Sequence, residues 1–528
     1  MANRSSVAET ETAPGGRTPA VEPRSWIERL WSSIAERGRA VAAPGVPVAV
    51  DRACLLAEAL LSERGEASGA AVAHELQSVL GELDGDGLAG FLRFLAGGFL
   101  PDPERLQAQA RAYLADPSAA AAAALAQAAE PPRQELLRRM NLAPGGTGTL
   151  VALRRTMLGM LRREPTLKPL DDDLRHLFSS WFNRGFLELR RIDWQTPAAV
   201  LEKLITYEAV HEITGWEDLR RRLAPDRRCF GFFHPALPGE PLIFVEVALV
   251  EGLATAVQPL LAPESDDAVA RARAADTAIF YSISNCEDGL RGVSFGNFLI
   301  KQVVEELRAE CPALTRFATL SPVPGFRRWL ESRLAALADP DGRLELSEAD
   351  RAELLRPLAK AEGEVESSLA TLLAEAPPAT DPPIEMQWWQ DPQRQQRLRP
   401  ALLRLCACYL TQGGLTAKHA MDPVARFHLG NGARLERINW MGNSAARGLA
   451  ESYGIMVNYL YDPATIETNH EAFVRDGTVI RAAAVDALRG LPAAVPSRRA
   501  LAAPRQERAK AASAAIEQDR LRVGKPTA

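Results

Sequence analysis

Apolar residues recur at helical spacing through almost all of the first 190 positions. Leu170, Leu174, Leu177 and Trp181 follow at intervals of four, three and four, which sets all of them on one helical face and predicts that this face packs inward. Breakers at Pro44-Gly45, Pro101, Pro131-Pro132 and Pro144-Gly145-Gly146 divide the stretch into separate helices. Residues 118–130 are almost all alanine, a run of high helix propensity with few groups that recognise a ligand. The first part of the chain reads as an all-α helical bundle.

After Trp216 the pattern changes. Residues 229–233 and 242–250 are β-rich runs separated by Pro235, Pro238-Gly239 and Pro241, as in two strands joined by a turn. Residues 277–284 alternate Ile279, Tyr281 and Ile283 on one face of a third strand. Ile300, Val303, Val304 and Leu307 then return to helical register, and residues 316–320 form another short β run. Strand, glycine turn, helix and strand in that order predict a crossover with its two strands parallel. Residues 338–420 return to helix and Pro-rich loop and read as an inserted helical segment. Residues 435–440 and 454–461 read as later strands, and 482–488 as helix. Beyond 492 the composition suggests a tail in which only 500–522 has helical character.

Composition narrows the function classes. With 47% hydrophobic and 24% charged residues, 528 positions describe folded, core-forming protein of two or three domains. A net charge of −5 gives no electrostatic reason to expect nucleic acid or a membrane surface as partner. Six scattered cysteines make no secreted disulfide framework. The pair Cys406 and Cys408 lies in an apolar helical run and reads as structural thiols rather than a metal site. No apolar stretch approaches the ~18–20 residues of a membrane span, and residues 1–23 lack the apolar block of a leader, so the expectation is a cytoplasmic protein.

Ligands of open α/β sheets gather at the carboxyl ends of parallel strands, where two features of this chain fall. The first is the turn Arg291-Gly292-Val293-Ser294-Phe295-Gly296-Asn297, whose small residues let backbone N–H groups approach an anion at a helix start. Taken alone the signal is weak: a turn that merely uses glycine for positive φ and Ser294 as an N-cap is the more common explanation. The second is Ser321, which follows the next strand; it is either a reactive hydroxyl at the same mouth or the shaper of a turn before the helix near Phe326. His428, 107 residues further on, is a candidate acid or base that periodicity cannot bring to Ser321, and His419 is its alternative. His74, His176, His211, His234 and His470 read as structural, and Glu287 with Asp288 as a solvated acidic corner.

Four segments resemble the malonyl-CoA decarboxylase family: FYSISNCEDGLRGVSFGNFLIK (280–301), LSPVPGFRRWL (320–330), DPVARFHLGNGARLERINWM (422–441) and GIMVNYLY (454–461). The resemblance extends in weaker form from Leu170 to Leu488. It implies an α+β chain: a disordered stretch 1–23, a helical oligomerisation domain 24–200, a GNAT-like (acyl-CoA N-acetyltransferase superfamily) mixed α/β catalytic domain 201–491 with a helical insertion at about 338–420, and a tail 492–528. The implied activity is decarboxylation of malonyl-CoA to acetyl-CoA and CO₂, by a carboxy-lyase with no metal and no organic cofactor. Arg291, Gly292, Val293, Ser294, Phe295, Gly296 and Asn297 take the position of the coenzyme A pyrophosphate loop, where the animal enzymes have a glutamate at the place of Ser294. Ser321 and His428 take the positions of the catalytic serine and histidine, both also touching substrate, and Tyr461 that of a tyrosine near the reacting group. On this reading Ser321 orients the malonyl group and a protonated His428 delivers the proton to carbon. The implied partners are malonyl-CoA and acetyl-CoA, with no nucleic acid and no membrane, in a homodimer or homotetramer of bacterial origin. An acyltransferase using the same fold and a non-catalytic acyl-CoA sensor are the rival classes.

Overall fold

The computed structural model describes residues 49–182, 184–208, 210–263, 267–293, 299–338, 388–411 and 422–490. These fall into two compact units: described residues within 49–186, 234–238 and 287–293 make the first, and those within 187–233, 239–286 and 299–490 the second.

The first unit is helical. Amphipathic helices such as Ala49–Leu61, Gly85–Gly97, Gly146–Met160 and Lys168–Trp181 bury one apolar face each. Leu170, Leu174 and Leu177 are buried as their spacing predicts, with Trp181 half-buried beside them. The alanine run forms helix Ala119–Ala129 and buries only Ala128, so its helicity rests on propensity and not on packing. Among the described residues of this unit, Arg133 pairs with Asp173 and Arg154 with Asp171, both pairs buried. Arg154 donates to Asp171 (2.8 Å) and to the main-chain carbonyls of Gly289 (2.6 Å) and Arg291 (2.9 Å), which ties the segment 287–293 to the helix Gly146–Met160.

The second unit is built on a mixed eight-stranded sheet: β1 Glu188–Ile192, β2 Arg227–Phe233, β3 Pro241–Val250, β4 Thr277–Asn285, β5 Arg316–Thr319, β6 Ser321–Pro322, β7 Arg434–Asn439 and β8 Met456–Leu460. Strands β1 to β4 run antiparallel in sequence order. The expected crossover is present: β4 and β5 are parallel, joined through helix Leu299–Glu310, whose Ile300, Val303, Val304 and Leu307 are buried. β8 then inserts antiparallel to β5 and β6, with β7 on its other side. The helical first half followed by a mixed α/β sheet is the fold class that the residue pattern implied.

Residues 188–190, taken above as the end of the helical part, belong instead to the edge strand β1. It is five residues long and polar, and it buries only Ile192 fully, so it carries too little alternation to announce itself. Of the expected insertion at 338–420, helix Pro392–Thr411 is described, while 339–387 and 412–421 lie outside the described residues, as do 1–48 and 491–528.

Candidate active site

One strand register assembles the site. β8 pairs with β5 at Leu460 and Ala318, and with β6 at Val457 and Ser321, without a slip between the two. Where the backbone ladder is interrupted, Tyr459 N–H donates to the side-chain Oγ1 of Thr319 (3.1 Å) instead of to a carbonyl, and Asn458 Nδ2 donates to the Thr319 carbonyl (2.7 Å). The interruption leaves Ser321 on a two-residue strand at the end of β5, and Tyr461 one residue beyond β8, its N–H donating to Phe317 (2.8 Å). Antiparallel pairing thus delivers a serine and a tyrosine, distant in sequence, to one place.

His428 arrives on the eight-residue helix Pro423–Gly430. Asp422 is its N-cap: Oδ1 accepts from Val424 N and Ala425 N (both 3.0 Å), and Pro423 follows at the first helical position, where a missing N–H costs nothing. The other oxygen, Oδ2, accepts from Gly325 N (3.2 Å), in the turn that follows Ser321, and lies 3.4 Å from Tyr409 Oη. One carboxylate therefore holds both the histidine helix and the serine turn.

The three candidates meet. Ser321 Oγ lies 3.0 Å from His428 Nε2, and His428 Nδ1 lies 2.8 Å from Tyr461 Oη. Ser321 Oγ also donates to Thr319 Oγ1 (2.8 Å). The Tyr459 ring stacks on the imidazole, centroids 4.7 Å apart, and Phe280 meets Tyr461 edge-on. All these side chains are buried. Burial pushes the Tyr461 phenol up and pulls His428 down to about 3, because charging an imidazole in an apolar enclosure forfeits its hydration. The expectation of a protonated His428 is corrected on this ground: its imidazole is neutral at physiological pH, and the hydrogen it offers sits on an uncharged ring nitrogen.

Of the expected pyrophosphate turn, Arg291, Gly292 and Val293 are described, and Ser294, Phe295, Gly296 and Asn297 lie outside the described residues. Gly292 has φ 76°, the left-handed conformation that favours glycine, and the Arg291 carbonyl is held by Arg154. Just before them, Gly289 packs so closely on the Val151 carbonyl that a Cβ would collide with main chain.

Glu287 does not stand free in solvent: it accepts from Gly289 N and lies 3.7 Å from Arg155, while Asp288 pairs with Arg291. His211 is buried and pulled down to about 4, chiefly by burial; His234 Nδ1 accepts from Ala236 N. His470 bonds the Gly430 carbonyl through Nδ1, and His419 lies outside the described residues. Cys406 is buried and Cys408 half-buried. Among the described residues no group of three or more His, Cys, Asp or Glu is arranged to hold a metal ion, and no helix is long and apolar enough to cross a membrane. Sequence reasoning missed Thr319, Asp422 and Arg154. Only Asp422 carried a signal, the Asp-Pro pair that opens a helix.

Comparison with known proteins gives one answer. Residues 185–501 match the family described as the malonyl-CoA decarboxylase C-terminal domain, and residues 99–182 its N-terminal domain. The mitochondrial malonyl-CoA decarboxylase of Anser anser anser is 39% identical over 349 residues, 65% of this chain and 66% of that relative, so the chain spans just under two thirds of the relative's length. The crystal structure of a malonyl-CoA decarboxylase from Rhodopseudomonas palustris aligns with a TM-score of 0.70 at 47% identity, over 84% of this chain and 100% of that one. One from Agrobacterium vitis aligns with a TM-score of 0.69, also at 47% identity, over 83% and 99%. The chain belongs to the malonyl-CoA decarboxylase family.

Proposed function

We infer that the chain is a carboxy-lyase converting malonyl-CoA to acetyl-CoA and CO₂, and that Ser321, His428 and Tyr461 carry the reaction. The observation behind this reading is the contact of Ser321 Oγ with a buried, neutral imidazole whose other nitrogen meets a tyrosine hydroxyl. Loss of CO₂ sends the electrons of the broken C–C bond into the thioester carbonyl as an enolate, so the substrate is its own electron sink and the reaction calls for no cofactor. What remains is to orient the malonyl group and protonate one carbon. The Ser321 hydroxyl does the first by hydrogen bonding and then gives its proton to the α-carbon. His428 Nε2–H refills the serine oxygen while the Tyr461 hydroxyl passes its proton to Nδ1, and the proton from water that the overall reaction consumes restores the tyrosine. A positioned general acid of this kind contributes ~10²–10⁴-fold. Exclusion of water strengthens each of these hydrogen bonds.

In the same reading Arg291, Gly292, Val293, Ser294, Phe295, Gly296 and Asn297 grip the coenzyme A pyrophosphate through main-chain N–H groups. The protein works in a bacterial cytoplasm as a homodimer or homotetramer. Light scattering on the purified protein tests the stoichiometry, and a monomer overturns it.

The decisive experiment incubates purified protein with malonyl-CoA and no amine acceptor. Equal amounts of CO₂ and acetyl-CoA are expected, falling by ~10²-fold or more in Ser321→Ala. Tight binding of malonyl-CoA that stays intact for hours would make the protein a sensor, and turnover only after an amine is added would make it an acyltransferase.

A further inference from the structure

The serine and histidine contact is compatible with two opposite directions of hydrogen bonding, and each has its own chemistry. If Ser321 donates to Nε2, the pair is a nucleophile and its base. The serine proton would pass to the imidazole, Oγ would attack the thioester carbon, the C–S bond would break, the thiol would take the proton from the imidazole, and water would free malonate. If Nε2–H donates to Ser321, the pair is a proton donor aimed at whatever lies beyond the serine.

A third oxygen separates the two. Ser321 has one hydroxyl proton, and it is given to Thr319 Oγ1 at 2.8 Å. Its oxygen then accepts from His428, which requires hydrogen on Nε2. A neutral imidazole carries one N–H, so Nδ1 is bare and accepts from the Tyr461 hydroxyl at 2.8 Å. Thr319 Oγ1 is itself placed by the Tyr459 amide, which donates to it where the ladder between β5 and β8 is interrupted. Thr319 is fully buried, so this accepting oxygen does not exchange with bulk water.

We propose that Thr319 is a positioning residue that sets the direction of the chain Tyr461 to His428 to Ser321, making the pair a proton donor and withholding serine as a nucleophile. The direction of the Ser321 contact with Nε2 stands on geometry; the use made of it rests on the decarboxylase reading. When malonyl-CoA enters, the Ser321 hydroxyl turns from Thr319 to the substrate while its oxygen keeps the Nε2–H bond.

Two measurements test this. In substrate-free protein labelled with ¹⁵N-histidine, and with the signal assigned through His428→Asn, long-range ¹H–¹⁵N spectra at pH 7 are expected to show protonated Nε2 and bare Nδ1. The reverse tautomer overturns the proposal, whether or not the protein decarboxylates anything. In turnover assays Thr319→Val is expected to lower kcat ~10-fold or more with KM within ~3-fold, and to raise the share of free coenzyme A over acetyl-CoA; Thr319→Ser, which restores the acceptor, recovers most of the loss. An unchanged kcat in the valine variant, or a serine variant no better than it, overturns the proposal. If the valine variant does not fold, the tautomer decides.

Discussion

Acidification tests the neutral imidazole most directly. A histidine in water titrates near 6.5, so at pH 5 it is almost wholly charged. His428 is pulled down to about 3 by burial, and at pH 5 only about 1% of it should be charged. The linked effect on stability has a definite sign. Below 6.5 the unfolded chain binds a proton at this position that the folded chain refuses, so stability is complete above that pH and is lost as pH falls towards 3. Over the ~1.5 units from 6.5 to 5, at about 1.4 kcal/mol per unit, the loss is about 2 kcal/mol. Other groups act at the same time. His211, pulled down to about 4, adds in the same sense, while Glu246, pushed up to about 8 by burial, favours the fold as pH falls. Both are present in His428→Asn, so the difference between wild type and variant isolates one imidazole. The assays are ring ¹⁵N shifts followed from pH 8 to 5 and urea unfolding of the second unit at pH 6.5 and 5. A His428 midpoint above ~5, or a variant whose pH dependence matches wild type, refutes the buried neutral imidazole.

Three further outcomes are expected. Tyr461→Phe leaves Nδ1 buried without its donor, about 1–3 kcal/mol, so kcat should fall ~5–100-fold with KM little changed in steady-state assays; an unaltered kcat removes Tyr461 from the chain. Arg154→Met takes one of two cations from the buried Asp171 carboxylate, leaving Lys168, and frees two carbonyls of the 287–293 segment, so thermal unfolding should report a loss of about 2–3 kcal/mol. Asp422→Ala removes an N-cap and should destabilise by about 1–2 kcal/mol by calorimetry, with turnover falling as well because the serine turn loses its anchor. Asp422→Asn, which keeps one accepting oxygen, should fall between alanine and wild type.

The apolar runs of β2 and β3, the alternation in β4 and the helical period of Leu299–Glu310 were legible because these elements are long and largely buried, so burial writes itself into the residues. β1 was not, since a five-residue polar edge leaves no such trace. Ser321 and His428 were visible as residues but not as a pair: 107 positions separate them, and periodicity has no term that links two elements across a sheet. Thr319 was invisible, because a threonine near the end of a β run is what any strand would carry. Its role exists only where the ladder is interrupted and a side chain replaces a carbonyl. The protonation of His428 was misjudged for a related reason. The charge state follows from enclosure by Tyr459, Tyr461 and Phe280, which come from two different strands and the residue that follows one of them.

That enclosure suits the decarboxylation proposed for the site. An enolate formed by losing CO₂ is a strong base at carbon, so a weak donor protonates it, and a charged imidazole is unnecessary. Keeping the imidazole neutral has a second effect: the anionic malonyl carboxylate finds no buried cation at His428, and nothing there stabilises the charge that decarboxylation must disperse. A positive ring beside the carboxylate would strengthen ground-state binding more than the transition state, in which the charge has moved toward the thioester oxygen, and so would slow the step. The dependence on one register follows too. Because strand side chains alternate, a one-residue slip of β8 against β5 and β6 would turn Tyr461 away from the imidazole and take the Tyr459 amide from Thr319 Oγ1. The direction of the proton chain and the position of its groups therefore stand or fall with the pairing of a single five-residue strand.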